Sequence, residues 1–222
     1  MICVVSGLPR SGTSLAMQML AAGGLPALTD ELRPSDLNNP RGYYEWEKAK
    51  HLPQDPGCIA EAEGKAVKVI SSLLMSLPAG HEYRVLFMMR PLEEVVASQA
   101  EMIVNLGTRG SSLPAETIMA ALRAHRNQVL AWLKTRQDVA VLELDYHALL
   151  ADPPARAAEV ASFFDLPLDT EAMAKQVDPA LHRQRSSRLF EASGSSRDEI
   201  DSRMKTVTES VVRKGGFEPP RS

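Results

Sequence analysis

Four short apolar runs punctuate the chain: Ile2 to Val5, Ala66 to Ile70, Arg84 to Met89 and Val139 to Leu144. They are rich in Val, Ile, Leu and Met and do not alternate with polar residues. That pattern predicts parallel strands covered on both faces. Helical periodicity lies between the runs. Thr13 to Ala22 places Leu15, Met19 and Leu20 on one side and stops at Gly23-Gly24, a candidate C-cap. Leu92 to Asn105 starts just after Pro91, which suits a first turn. The longest pattern runs from Pro114 to about Arg136, with Ile118, Leu122, Val129 and Leu133 near helical spacing. A further helix is predicted from Pro153 through Val160 and Phe164, with Asp152 as N-cap, and a short one after Asp169. Strands alternating with helices predict an α/β layered fold.

Two stretches break the pattern. Residues 26–64 hold five prolines and few periodic apolar positions. A connection that long is usually functional or disordered. The stretch 186–222 is rich in Ser and Arg and is expected to be a flexible tail. Residues 1–185 are therefore read as one domain, with 26–64 as an irregular insertion within it.

Composition narrows the function classes. The chain has 222 residues, 44% hydrophobic and 24% charged, the balance of an ordinary folded protein. A net charge of -3 argues against a general nucleic-acid or membrane-surface binder, though not against a local basic pocket. No run approaches the length of a membrane-spanning helix, and no signal peptide is visible. A cytoplasmic protein is the simplest expectation. The two cysteines, Cys3 and Cys58, suggest no disulfide framework, and Cys3 reads as a small core residue.

The chemistry concentrates at Gly7-Leu8-Pro9-Arg10-Ser11-Gly12-Thr13-Ser14, between the first strand and the first helix. A helix start leaves backbone N–H groups unpaired, and these donors favour an anion. The nucleotide loop pattern is G-x-x-x-x-G-K-[ST]. Both glycines and the final Ser14 are kept, but Thr13 stands where the lysine belongs. The cation has moved back to Arg10. A second basic site follows the third apolar run, at Arg90-Pro91-Leu92-Glu93-Glu94-Val95-Val96-Ala97-Ser98.

Together these segments resemble the sulfotransferases. Gly7 to Ser14 looks like their phosphosulfate loop, often P-K-[ST]-G-T-T or P-R-S-G-T-[ST]. Arg90 to Ser98 is similar to their 3′-phosphate site, R-[DN]-P-x-[DE]-x-x-x-S. Asn39-Pro40-Arg41-Gly42-Tyr43-Tyr44-Glu45 resembles the N-P-x-G-Y-[YFW]-E segment of bacterial members. Asp145-Tyr146-His147-Ala148-Leu149-Leu150-Ala151-Asp152-Pro153 resembles their Y-x-x-L-L-x-D-P segment. The likeness covers about residues 1–185; Arg213-Lys214-Gly215 is taken as a chance match to a family R-K-G.

The resemblance implies a three-layer P-loop-like fold, with a central parallel sheet of about four to five strands and helices on both faces. It implies transfer of a sulfuryl group from 3′-phosphoadenosine 5′-phosphosulfate (PAPS) to a hydroxyl or amine. Adenosine 3′,5′-bisphosphate would be the product, with no metal. Pro9, Arg10, Ser11, Gly12, Thr13 and Ser14 would hold the phosphosulfate, and Arg90 and Ser98 the 3′-phosphate. Arg10 is the candidate for the cation facing the leaving group. Since arginine holds its proton, its help would be electrostatic.

Glu45 is the first candidate for the base, with Asp30, Glu31 and His51 as rivals. The family's K-T-H segment is not matched. Lys65 and Lys68 read as strand-edge charges before pocket residues, and Tyr146 as a core residue as readily as an adenosine contact. The acceptor, a small molecule or a glycan or lipid, is expected to meet residues 26–64. A P-loop kinase or nucleotide hydrolase is the alternative, with Asp145 ending a strand as a magnesium ligand would. A non-catalytic nucleotide-binding protein of the same fold is the third reading. Oligomeric state stays open.

Overall fold

The computed structural model describes residues 1–30, 35–36, 39–105 and 113–178. The tail at 186–222 and Glu31 lie outside the described residues. The described residues divide into two compact units, one holding Met1–Arg90 with those from Arg126 onward, the other those between Pro91 and His125.

The first unit is built on a five-stranded sheet. Its strands are β1 (Ile2–Gly7), β2 (Ala27–Leu28), β3 (Ala66–Lys68), β4 (Tyr83–Met89) and β5 (Val139–Asp145), in the order β2-β3-β1-β4-β5. Every pairing is parallel. The predicted four strands are present, and β2 is an additional two-residue edge strand. All six residues of β1 are buried, because it lies between β3 and β4 with layers on both faces. This is why its sequence is apolar without alternation. The second run is shorter than expected: β3 ends at Lys68, and Ile70 already caps a 3₁₀ turn at Ser71–Ser76.

One face of the sheet is covered by helices α1 (Thr13–Ala22), α4 (Tyr146–Ala151), α5 (Pro153–Phe164) and α6 (Thr170–Ala174). Cys3, Val5, Met17, Leu20, Leu86, Leu144, Leu149 and Phe164 share that core. The caps follow from the sequence. Asp145, Asp152 and Asp169 each accept a hydrogen bond from the backbone N–H three residues on. Such caps are worth roughly 1 kcal/mol each. Gly23 closes α1, and a Cβ there would lie 2.7 Å from Met173 of α6.

The other face is covered differently. Val129, Leu130 and Leu133, on the part of helix α3 (Ala115–Thr135) that belongs to this unit, pack with 3₁₀ segments at Glu47–His51 and Pro56–Ala62. Ala49, Cys58, Ile59 and Ala62 enter the core from those segments, and Trp46 and Leu52 from the two ends of the first. So the insertion at 26–64 supplies much of one covering layer.

The second unit contains α2 (Leu92–Asn105) and residues 115–125 of α3. α2 begins after Pro91 with Glu93 and Glu94 in its first turn, where acidic groups suit the helix dipole. Leu92, Val95, Val96, Ser98, Gln99 and Ile103 are its buried positions, with Glu94. No helix among the described residues is long and apolar enough to cross a membrane.

Cys3 and Cys58 are both free and belong to the cores on opposite faces of the sheet. Burial pushes the Cys3 thiol up to about 11. Burial also raises Cys58, helped by Asp55 and Glu61. The thiolate is the reactive form, so both thiols should be inert in the folded protein at neutral pH. Labelling with a chromogenic disulfide reagent should be slow until denaturant is added. Rapid labelling of two thiols in the native protein would contradict this packing.

Candidate functional site

The carboxyl ends of parallel strands are where ligands bind in open α/β sheets, at the point where the connections reverse direction. Here that point is β1, flanked by β3 on one side and β4 on the other. The loop 7–14 leaves its carboxyl end. Lys68 ends β3, Arg90 follows β4, and Tyr146 follows β5. The sheet register aligns them: Val5 pairs with Lys68, Gly7 with Met88, and Met89 with Asp145.

Three residues of the loop have positive φ: Gly7 at 151°, Arg10 at 73° and Gly12 at 107°. The glycines are required by space as well as by backbone. A Cβ on Gly7 would lie 2.4 Å from Ser11 Oγ, and one on Gly12 would lie 2.8 Å from the Tyr146 ring. Arg10 has no such excuse, since a left-handed non-glycine residue costs about 1–2 kcal/mol. Its conformation is held from outside: Arg90 Nη1 donates to the Arg10 carbonyl at 3.0 Å. Arg90 is itself held. Its guanidinium lies 4.6 Å from the centre of the Tyr146 ring, and the residue is 9% exposed. Tyr146 thus packs under both Gly12 and Arg90, a placement that fits its membership of the core and of the site.

Gly12 is the N-cap of α1 and supplies no side-chain cap. The first-turn N–H groups therefore face the loop, an arrangement that favours an oxyanion. Ser11 Oγ is buried with no hydrogen-bond partner among the described residues. A buried hydroxyl without a partner costs free energy, so a ligand atom accepting from it is favoured. The residues present fit a phosphate or sulfate group.

Ser14 gathers a second set of contacts. Asn39 Nδ2 donates to its Oγ at 2.9 Å, and Lys68 Nζ donates at 3.2 Å. Ser14 Oγ donates in turn to the Tyr43 carbonyl at 3.3 Å, and Lys68 donates to that carbonyl at 2.9 Å. Lys68 is only 9% exposed. The sequence reading gave this lysine to the strand edge. The structure puts its ammonium on the loop instead, making a cation that sequence reasoning undervalued. The available signal was its place inside the apolar run Ala66 to Ile70, where the other residues are all apolar.

Glu45 lies two residues beyond Tyr43. Between them Tyr44 takes φ 52°, and the Glu45 carbonyl accepts from Thr29 Oγ1 and the Asp30 backbone N–H. The Glu45 carboxylate is 3.4 Å from Lys50 Nζ. Its rival Asp30 has a structural duty, because its carboxylate accepts from the Glu47 N–H at 2.5 Å and starts the 3₁₀ turn. His51 is an exposed residue at the end of that turn, and Lys65 bonds through its backbone to Ala62 and Cys3. Pro9 and Thr13 sit in the loop as the sequence places them, Thr13 buried at the first position of α1. Ser98 is 5% exposed on α2 of the second unit, whereas Arg90 closes the first.

Comparison with protein families matches residues 116–219 to the "Sulfotransferase domain", a little under half of the chain and extending past the described residues. Among solved structures, one match is titled "Sulfotransferase Domain from the Curacin Biosynthetic Pathway". It is 15% identical, covers 99% of this chain and 98% of that one, and has a TM-score of 0.47. No curated protein matches.

Proposed function

We propose that this chain, whose residues 116–219 match the sulfotransferase domain, is a sulfotransferase that moves a sulfuryl group from PAPS to a hydroxyl or amine of its acceptor. The observation that carries the donor assignment is the gathering of Arg90, Lys68 and the loop 7–14 at the carboxyl ends of three adjacent strands. Two fixed cations and an uncapped helix start suit a ligand with several anionic groups.

The chemistry is in-line displacement at sulfur. The acceptor oxygen or nitrogen forms a bond to sulfur as the bond to the bridging oxygen breaks. The electron pair leaves on the 5′-phosphate of adenosine 3′,5′-bisphosphate, and the acceptor's proton goes to a base. Negative charge grows on the bridging oxygen, so a preplaced cation lowers the barrier. Lys68 and Arg10 take that part in our reading, with Ser11, Gly12, Thr13 and Ser14 holding the oxygens. Lysine also carries a proton it can give up, a capacity that Arg10 lacks. Arg90 is assigned to the 3′-phosphate.

Glu45 remains our candidate base, because the capping bond of Asp30 leaves that rival in a structural role. Replacing Glu45 with glutamine should leave bisphosphate affinity within about twofold and lower turnover by about 10²-fold, the usual scale for a general base. Unchanged turnover would remove Glu45 from the mechanism. The kinase alternative calls on Asp145 to hold magnesium. The Asp145 carboxylate instead caps α4 by accepting from the Ala148 N–H at 2.7 Å. Transfer of labelled sulfate from PAPS across a panel of hydroxyl and amine acceptors tests the function. Tight adenosine bisphosphate binding without magnesium supports it, and a strict need for magnesium with ATP would refute it.

A further inference from the structure

Among the described residues the Ser14 hydroxyl has three hydrogen-bond contacts, and the chemistry of its partners fixes their direction. The Tyr43 carbonyl only accepts, so Ser14 donates its proton there, at 3.3 Å. The Lys68 ammonium only donates, at 3.2 Å. A hydroxyl has one proton and two acceptor lone pairs. Asn39 must therefore present its amide N–H, and it does so at 2.9 Å. Both lone pairs of Ser14 are then used. What can turn toward a ligand is the proton, which sits in the longest of the three bonds.

This inverts the usual role of the position. In nucleotide loops of the G-x-x-x-x-G-K-[ST] type, the hydroxyl in this place gives a lone pair to Mg²⁺. Here the lone pairs point at two donors, one of them a cation that would repel a metal ion. Asn39 is held to this task. Asp36 Oδ1 accepts from the Asn39 backbone N–H at 2.9 Å, and the two residues also exchange backbone hydrogen bonds. The same Asp36 carboxylate accepts from the Tyr43 hydroxyl at 2.8 Å, tying both ends of the network together.

We infer that Asn39, acting with Lys68, fixes Ser14 as a hydrogen-bond donor, so that the loop selects a metal-free oxyanion over a magnesium-bound phosphate. Asn39 is thus a positioning residue for specificity. The inference rests on the reading of the loop as an anion site and deepens it.

The test is calorimetric binding of inorganic pyrophosphate to the full chain, with EDTA and with saturating magnesium. The wild type should bind pyrophosphate in EDTA and lose about tenfold in affinity with magnesium, since the metal complex presents a cation to two donors. Asn39→Asp replaces the donor with an acceptor-only carboxylate. It should weaken binding in EDTA by about tenfold and reverse the sign of the magnesium effect. Asn39→Ala should shrink the effect without reversing it, and melting temperatures show that each variant is folded. A change in the sign of a metal response is not produced by a looser loop alone. The inference falls if magnesium tightens wild-type binding, if all three proteins respond to magnesium alike, or if the wild type binds no pyrophosphate. Adenosine 3′,5′-bisphosphate, run in parallel, tests the donor separately. Its failure to bind while pyrophosphate discriminates would overturn the PAPS assignment and leave the role of Asn39 standing.

Discussion

Replacing Arg90 with alanine should weaken adenosine 3′,5′-bisphosphate binding by about 10²-fold. A charge-assisted hydrogen bond is worth ~1.5–3 kcal/mol, and an arginine can make two to one phosphate. Arg90 also supports the site indirectly, through its bond to the Arg10 carbonyl and its stacking on Tyr146. The two effects separate by ligand. Adenosine 5′-phosphate lacks the 3′-phosphate, so its affinity reports only the loosened loop. If Arg90 holds the 3′-phosphate, the loss for the bisphosphate exceeds the loss for the monophosphate by at least about tenfold. Equal losses would leave Arg90 as a scaffold for Arg10 and refute the assignment. Arg90→Lys should fall between, because a lysine keeps the charge but not the planar fork.

The second large effect is expected at Lys68. Lys68→Met keeps most of the buried stem and removes the ammonium that touches Ser14 and the Tyr43 carbonyl. Turnover with PAPS should fall by about 10²–10³-fold, the scale for deleting one preplaced donor to a developing negative charge. Affinity for the bisphosphate, which has no sulfuryl group, should change by less than about tenfold. A variant that turns over like the wild type would place the essential cation on Arg10 alone. A loss of bisphosphate affinity as large as the loss of turnover would mean that Lys68 binds the nucleotide rather than acting on the transferred group.

The sequence carried most of the regular structure. Thr13–Ala22 and Leu92–Asn105 have the predicted boundaries because strong end signals, Gly23 and Pro91, coincide with the apolar periodicity. The glycine loop was legible for the same reason: two glycines and a helix start leave few geometries. Three things were not. β2 is two residues long, too short to show a period. The stretch 26–64 hides its core residues because 3₁₀ turns place side chains at a spacing of three over short runs, as at Glu47–His51. Lys68 looked like an edge charge because its depth is set by partners 25 and 54 positions away, Tyr43 and Ser14. Asn39 stood in a recognised segment, but nothing local says that its amide returns to the loop.

The central place of β1 also has a consequence for how the protein is made. β1 is the earliest strand in the chain order, yet its partners are at 66–68 and 83–89, and it shares six paired positions with β4 against three with β3. During synthesis one of its edges therefore stays open until residues 66–68 have emerged, and the other until residues near 89 have. Distant pairings of this kind slow folding, and an unpaired apolar strand invites association with other chains. The anion loop cannot take shape before that event, since the register of β1 with β4 sets where Arg90 meets Arg10. Assembly of the site and closure of the sheet are then a single late step. A nascent chain halted short of β4 would expose its most adhesive strand and bind nothing.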